Sequence, residues 1–350
     1  MTAPSTLLVR PVTEADIPAL EALAAGATAG VHTLPKHRDA IERAVQRSIA
    51  SFAARVDLPS EESYTFVLED SATGRVIGSA ALAAMAGING TFFAFRNDVM
   101  QQVSRDLNIS HSVHALTLCS GLTGHSQLSS FYVDGGDGID EAAAALLSRA
   151  RLLFAAIAPQ RFGDRFFASL AGVTGSDGHS PFWEALGRKF FQIDFLEAER
   201  LIEGGRNRSL IIELMPHYPV YVPLLPGDAQ AAMGQVHGEG ELPLQILSDE
   251  GFEPDEFIDI FDGGPILQAH KHALRSFSAA LSRRVAAADE QPASQSATVT
   301  YLVSTTSDNQ FRAILFDAPA LDLSDSIALS ADARHRLQVV VGDTVKCVTL

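Results

Sequence analysis

The sequence predicts an α/β (α+β) protein: a mixed sheet flanked by helices, followed by a small β-barrel-like unit at the C-terminus. Three observations lead there. Strand-like and amphipathic helical segments alternate through the first 200 residues. A glycine-rich turn, "DGGDG", joins an apolar strand to the strongest helical pattern in the chain. A small, polar stretch, Ala286–Ala297, then separates the body of the chain from a last run of short strands. The division read from this is a first domain over 1–200, an extension over 201–285, a linker over 286–297 and a β-rich terminal domain over 298–350.

Taken in order, "TLLVRPVTEADIPALEALAA" is a short strand, then Thr13 as an N-cap, then a helix whose buried face carries Leu20, Leu23 and Ala24. A loop containing His32 leads to a second helix. Tyr64–Leu82 is a hairpin: an alternating strand, the turn "SATG" and a return strand. His111–Ser120 and Gln127–Val133 are strands, and "GIDEAAAALLSRARLLFAAIA" is a long helix. "SPFWEALGRKFFQIDF" is expected to be a short helix, a stop at Gly187 and a strand, and "SLIIELMPHYPVYVPLL" a strand running into a proline-broken segment. Helices are expected over Gly227–Val236 and Glu241–Glu250, then the strand-like "GFEPDEFIDIF" ending in a Gly-Gly-Pro turn. Short strands around one helical turn finish the chain.

Composition narrows the function. The 350 residues are 47% hydrophobic, enough to bury one large core or two ordinary ones. No apolar run reaches the length of a membrane span, and the first residues show neither the basic start nor the apolar core of a signal peptide. The only cysteines, Cys119 and Cys347, lie far apart, so a disulfide framework or a Cys-based zinc site is not expected, which fits a reducing cytoplasm. A net charge of −16 argues against nucleic acid and anionic membrane as partners.

"VHTLP", "YTFVLEDSATG", "LTGHSQLSSFYV", "SPFWEALGRKFF", "ELMPHYP", "MGQVH" and "FIDIFDGGP" together resemble the arginine N-succinyltransferase family over nearly the whole chain. "HYPVYVPLLP" and the acidic turn resemble most the alpha chains of its arginine/ornithine branch, in which two homologous chains act together. The resemblance implies a GNAT-like acyltransferase core over 1–200 that binds acyl-CoA, and an extension over 201–285 that completes the active site. It implies succinyl transfer from succinyl-CoA to the α-amino group of L-arginine, or of L-ornithine, in arginine catabolism. It further implies no metal, a cytoplasmic enzyme, and an oligomer with a homologous beta chain or with itself. A catalytically weak or regulatory subunit, or an acyltransferase for another amine, are the alternatives.

Acyl transfer to an amine requires an unprotonated nucleophile, a polarised thioester carbonyl and a protonated leaving thiolate. Histidine is the side chain suited to such proton work near neutral pH. Of the eleven, His237 in "MGQVHGEG" lies between a helix and a glycine turn, and the resemblance makes it the proton donor to the leaving group. His217, between two prolines, is the second candidate. His32 is an acceptor contact or a plain loop residue. The resemblance places acyl-CoA along Phe131 and Val133 and at Gly136 and Gly138, although Phe131 also suits a core position. Asp259 is a candidate for the acceptor guanidinium, and Asp262 a cap for the turn that follows it. Arg188, Lys189 and Lys36 are equally available for the two carboxylates, succinyl and acceptor. The glycine-rich turn raises a question of its own. Asp134, Asp137, Asp140 and Glu141 line a place where a pyrophosphate would sit. They either repel it or cap the helix N-terminus, where acids are favourable.

Overall fold

The structure, a computed structural model, describes residues 6–28, 30–31, 34–88, 91–135, 140–175, 177–202, 208–287, 298–321 and 324–350. The first part of the chain is β1 (Leu7–Pro11), α1 (Ile17–Gly26), α2 (Arg38–Ala53), β2 (Ser63–Asp70), β3 (Arg75–Ala83), β4 (Ala94–Ser104), β5 (Ile109–Cys119), β6 (Ser126–Val133), α3 (Glu141–Ile157) and β7 (Arg165–Ser169). Short helices follow: α4 (Pro181–Ala185), α5 (Gly187–Phe191), α6 (Phe195–Ile202) and α7 (Arg208–Leu214). Next come β8 (Val220–Tyr221), α8 (Gly227–Ala232), α9 (Glu241–Glu250), β9 (Glu253–Ile258), β10 (Pro265–His270) and α10 (Arg275–Ser278). The chain ends in β11 (Leu281–Ala287), β12 (Thr298–Thr305), β13 (Ala313–Pro319), β14 (Ser326–Leu329), α11 (Ala331–Leu337) and β15 (Thr344–Thr349).

The described strands form one mixed sheet in the order β14-β11-β15-β12-β13-β1-β2-β3-β6-β7-β10-β9-β4-β5-β8. The β6–β7 and β11–β14 pairs are parallel, the rest antiparallel. Strand alternation sorts side chains between the two faces. On β2, Tyr64, Phe66 and Leu68 join the core around α3, while Val67 packs with Leu20, Leu23, Ile41 and Val45 of α1 and α2. A run of alanines lets α3 sit close to the sheet, and Ala143–Ala155 is buried throughout. Phe52, Tyr64, Phe66 and Phe154 stack edge-on around it, with ring centroids 5.1–5.5 Å apart.

Three expectations from the sequence give way here. Gly187 does not end a helix before a strand; it starts α5, and after a break at residues 192–194 a further helix, α6, runs to Ile202. A Cβ at Gly187 would lie 2.2 Å from the Trp183 ring, so glycine is there to let the backbone pass the indole. "SLIIEL" is helix rather than strand. Ile211 and Met215 are buried four residues apart while Ile212 and Leu214 are exposed, a helical stripe that a short apolar run hides. The helix after Pro226 stops at Ala232, because Gly234, at φ +70°, turns the chain back and donates to Gly263 O at 2.8 Å.

β4 and β5 pair over eleven residues each, but β9 and β8 cover only the base of that hairpin. Its outer half carries exposed Val99, Met100, Val103 and Ile109. β11, read from sequence as the end of the extension and the start of the linker, pairs with β15 and β14, so it belongs to the C-terminal wing of the sheet. Residues 288–297 lie outside the described residues. Within the sheet the wing meets the rest at the bridged pair Val9–Ala313; it has a core around Val303, Ile314, Leu329 and Val345, while Leu302, Phe311, Leu315 and Val348 join the core around α3.

Candidate active site

β6 and β7 run parallel and pair only from Ser126 to Leu128. Beyond Leu128 the two strands part, and among the described residues β6 keeps only β3 beside it. A bulge between Ser129 and Tyr132, with Ser130 at φ +51°, bends β6 at that point. The sequence did not announce the bulge, nor the side chain that fills it. Arg151 of α3 is 2% exposed and donates to Ala81 O (3.3 Å) and Ser129 O (3.4 Å), the pair that flanks the bulge. Its guanidinium lies 5.4 Å from the centre of the Phe131 ring. Burial pulls its pKa down to about 9.

Phe131, Tyr132 and Val133, past the point of parting, line a small pocket with Ala144 of α3 and with Glu239, Leu242 and Pro243. The far wall is thus Glu239, two residues past His237, with Leu242 and Pro243 at the start of α9. The turn that carries His237 is held from several sides. His237 N–H donates to Ala171 O at 2.8 Å, and Val236 bridges Gly172, both just beyond the end of β7. His237 Nδ1 accepts from Glu239 N–H at 3.2 Å. With Nδ1 so used, the neutral ring carries its proton on Nε2 and presents a donor. Glu239 Oε1 accepts from Thr28 Oγ1 at 2.7 Å, which ties the loop after α1 to the same turn. The structure therefore brings Phe131, Val133 and the His237 turn to one place. Tyr132, Glu239 and Arg151 join them; in the sequence only nearness to Phe131 and His237 pointed to the first two, and nothing pointed to Arg151.

The acids of the glycine-rich turn divide. Asp134 pairs with Arg75 of β3. Asp140 is the N-cap of α3, accepting from Ala142 N–H at 2.9 Å, and Glu141 stands exposed in the first turn. Gly136, Asp137 and Gly138 lie outside the described residues, as does His32.

Asp259 and Asp262 sit in the turn between β9 and β10. Asp259 Oδ1 accepts from Phe261 N–H at 2.8 Å and Oδ2 from Ser169 Oγ at 3.3 Å. Asp262 is buried and accepts from Gly264 N–H (2.8 Å) and Gly172 N–H (2.7 Å). Burial raises the pKa of both, and the neighbouring Asp259 helps push Asp262 up to about 7. His217 is exposed beside β8, five strands from β7 in the sheet order, and does not line the pocket. Arg188 pairs with Glu184 at 2.8 Å on the surface of α4 and α5, and Lys189 and Lys36 are exposed.

The geometry defines a class: a mixed-sheet α/β protein with a parting of two parallel strands facing a histidine turn. A family model described as "Arginine N-succinyltransferase beta subunit" matches residues 7–276, and one for its C-terminal domain matches 283–349. The chain is 43% identical to the arginine N-succinyltransferase subunit alpha of Pseudomonas aeruginosa, covering 98% of this chain and 100% of that one. It is 34% identical to an arginine N-succinyltransferase of Escherichia coli (strain 55989), over 98% of both. The solved structure of arginine/ornithine succinyltransferase subunit AI from Pseudomonas aeruginosa superposes with a TM-score of 0.88 at 41% identity, over 98% of each chain. This chain belongs to the arginine N-succinyltransferase family.

Proposed function

We propose that this chain is an N-acyltransferase that moves succinyl from succinyl-CoA to the α-amino group of L-arginine, or of L-ornithine, on a GNAT-like core. The observation that carries the reading is the open edge of β6 facing the His237 turn across the Phe131–Val133 pocket. Past Leu128, where β7 no longer pairs with β6, the β6 edge can receive the pantetheine arm and the thioester oxygen, as an oxyanion site requires. Phe131 and Val133 line that pocket, and Gly136 and Gly138 are proposed as further acyl-CoA contacts.

The acceptor nitrogen attacks the thioester carbonyl carbon, the C–N bond forms and the oxyanion develops at β6. As the C–S bond breaks, His237 Nε2–H hydrogen-bonds to the leaving sulfur, and the proton that the new amide nitrogen sheds ends on that sulfur, so the ring is neutral before and after the step. Over the whole step the nitrogen loses one proton and the thiolate gains one. Near neutral pH the acceptor amine is mostly ammonium, so it must be deprotonated before it attacks. Asp259 and the His32 loop are proposed to face the acceptor. Its guanidinium needs a carboxylate, and Asp259 has lone pairs left after its two hydrogen bonds.

The enzyme is further proposed to act in the cytoplasm, in arginine degradation, assembled with a second chain of its family, either homologous or identical. The uncovered apolar arm of β4 and β5 supports such an assembly; among the described residues no helix is long and apolar enough to cross a membrane. The test is a thiol-release assay with succinyl-CoA and L-arginine, run on the chain alone and mixed with a homologous beta chain. Turnover dependent on both substrates is expected. Absence of turnover in both arms would overturn the reading, and turnover only in the mixture would assign this chain a supporting role.

A further inference from the structure

The Asp262 carboxylate does more than a turn cap has to do. Capping "DGGP" needs only the bond from Gly264 N–H, two residues on, at 2.8 Å. The other oxygen reaches Gly172 N–H at 2.7 Å, a partner ninety residues away in the segment that leaves β7. That segment is one side of the seat of His237: Ala171 O takes the His237 N–H at 2.8 Å, and Gly172 bridges Val236. The other side is Gly263, whose carbonyl takes Gly234 N–H at 2.8 Å. One buried carboxylate therefore clamps together the two backbones on which residues 234–237 rest.

The glycines are matched to this clamp. A Cβ on Gly172 would lie 2.5 Å from Asp262 O, and one on Gly264 would lie 2.2 Å from Leu170 O. Only bare backbone lets the two segments come within reach of one carboxylate. Burying a carboxylate is costly unless its oxygens are filled, and here both are.

We infer that Asp262 is the positioning residue for His237, holding the turn so that the ring faces the open edge of β6. This rests on the reading of His237 as hydrogen-bond donor to the leaving sulfur. Asp262→Asn keeps the shape but offers one acceptor oxygen where two were used. It is expected to lower kcat about 10- to 100-fold, the scale of a misplaced catalytic group, with the KM for succinyl-CoA within about twofold, because β6 is untouched. The double variant Asp262→Asn with His237→Ala should be no slower than His237→Ala alone, since the two act as a unit. Mass-spectrometric mapping of His237 carbethoxylation should show an altered rate in folded Asp262→Asn. Asp262→Ser, which is smaller and can still cap Gly264 N–H but cannot also span to Gly172, should repeat the kcat loss if Asp262→Asn folds poorly. Wild-type turnover and unchanged His237 reactivity in the variants, or losses that multiply in the double variant, would overturn the inference. Wild-type turnover of His237→Ala would instead overturn the reading of His237, and with it this role for Asp262.

Discussion

His237 shows how much a single hydrogen bond settles. Its Nδ1 accepts from Glu239 N–H at 3.2 Å, so the ring offers a donor to the site and not a base. The His237→Ala enzyme is expected to lose about 10²- to 10⁴-fold in kcat, the usual contribution of one acid–base group. Its melting temperature should barely change, since the ring is half-buried and flanked by Gly238. Near wild-type turnover would remove it from the chemistry. Asp262 yields a prediction of opposite character, on stability. Its folded pKa is pushed up to about 7 from 3.8, by burial first and by Asp259 second. The native state then holds a proton that the unfolded chain releases, so this contribution to stability is full below the unfolded value and is lost as pH rises through about 7. The melting temperature of the wild type relative to Asp262→Asn should fall between pH 5 and pH 8 and then level off; a flat difference would mean that Asp262 is ionised throughout. Sequence reasoning reached Asp262 as a turn cap, from an Asp before Gly-Gly-Pro. The second bond, to Gly172, was out of reach because it joins positions ninety apart.

At the scale of elements, α3 and β6 form the working unit. Arg151 fills the bulge of β6 with two carbonyl contacts and packs against Phe131. Arg151→Met would leave Ala81 O and Ser129 O without that donor, at a cost of roughly 1–3 kcal/mol for each buried group left unmet. A lower melting temperature is expected, together with a raised KM for succinyl-CoA, because the bend of β6 shapes the pocket. A variant with a lowered melting temperature and an unchanged KM would separate the bulge from acyl-CoA binding. The N-cap of α3 gives a second check: Asp140→Ala should cost about 1 kcal/mol, typical of a lost cap. Asp134, paired with Arg75, and Asp140, capping α3, have structural partners, which answers for half of the acids in the glycine-rich turn.

Across the whole molecule, the C-terminal wing has a core around Val303 and Ile314 and also lends Leu302, Phe311 and Leu315 to the core around α3, so it is packed onto the body of the chain. β11 precedes residues 288–297, yet it pairs with β14 and β15, which follow them. Limited proteolysis should cut first within 288–297, a small and polar stretch. The topology adds a sharper outcome: the nicked protein should elute as one species under native conditions, because β11 stays hydrogen-bonded into the wing. Separation of the two fragments without denaturant would argue that the β11 pairings are weak.

Local pattern was enough for much of this protein. The alternation of Tyr64–Leu68, the cap-and-helix run from Asp140, the turn residues Asp262–Gly264 and the polar stretch before Thr298 are each dictated by residues close together in sequence. The same holds for His237 as a candidate, flanked by a helix and a glycine turn. Tertiary structure decided what depends on distant backbones meeting. The parting of β6 from β7 after Leu128 needs a parallel neighbour some forty residues on, and the bulge at Ser130 needs Arg151 beneath it. Gly187 reads as a helix stop until the Trp183 ring is seen beside it. "SLIIEL" is too short for period alone to choose between helix and strand, and burial of Ile211 and Met215 on one side chose helix. His217 and His237 look alike as loop histidines, and strand order placed one of them beside the pocket and left the other at the edge of the sheet. Short-range propensity is carried by neighbours in sequence, whereas a site is an agreement among segments that only the packed sheet brings together.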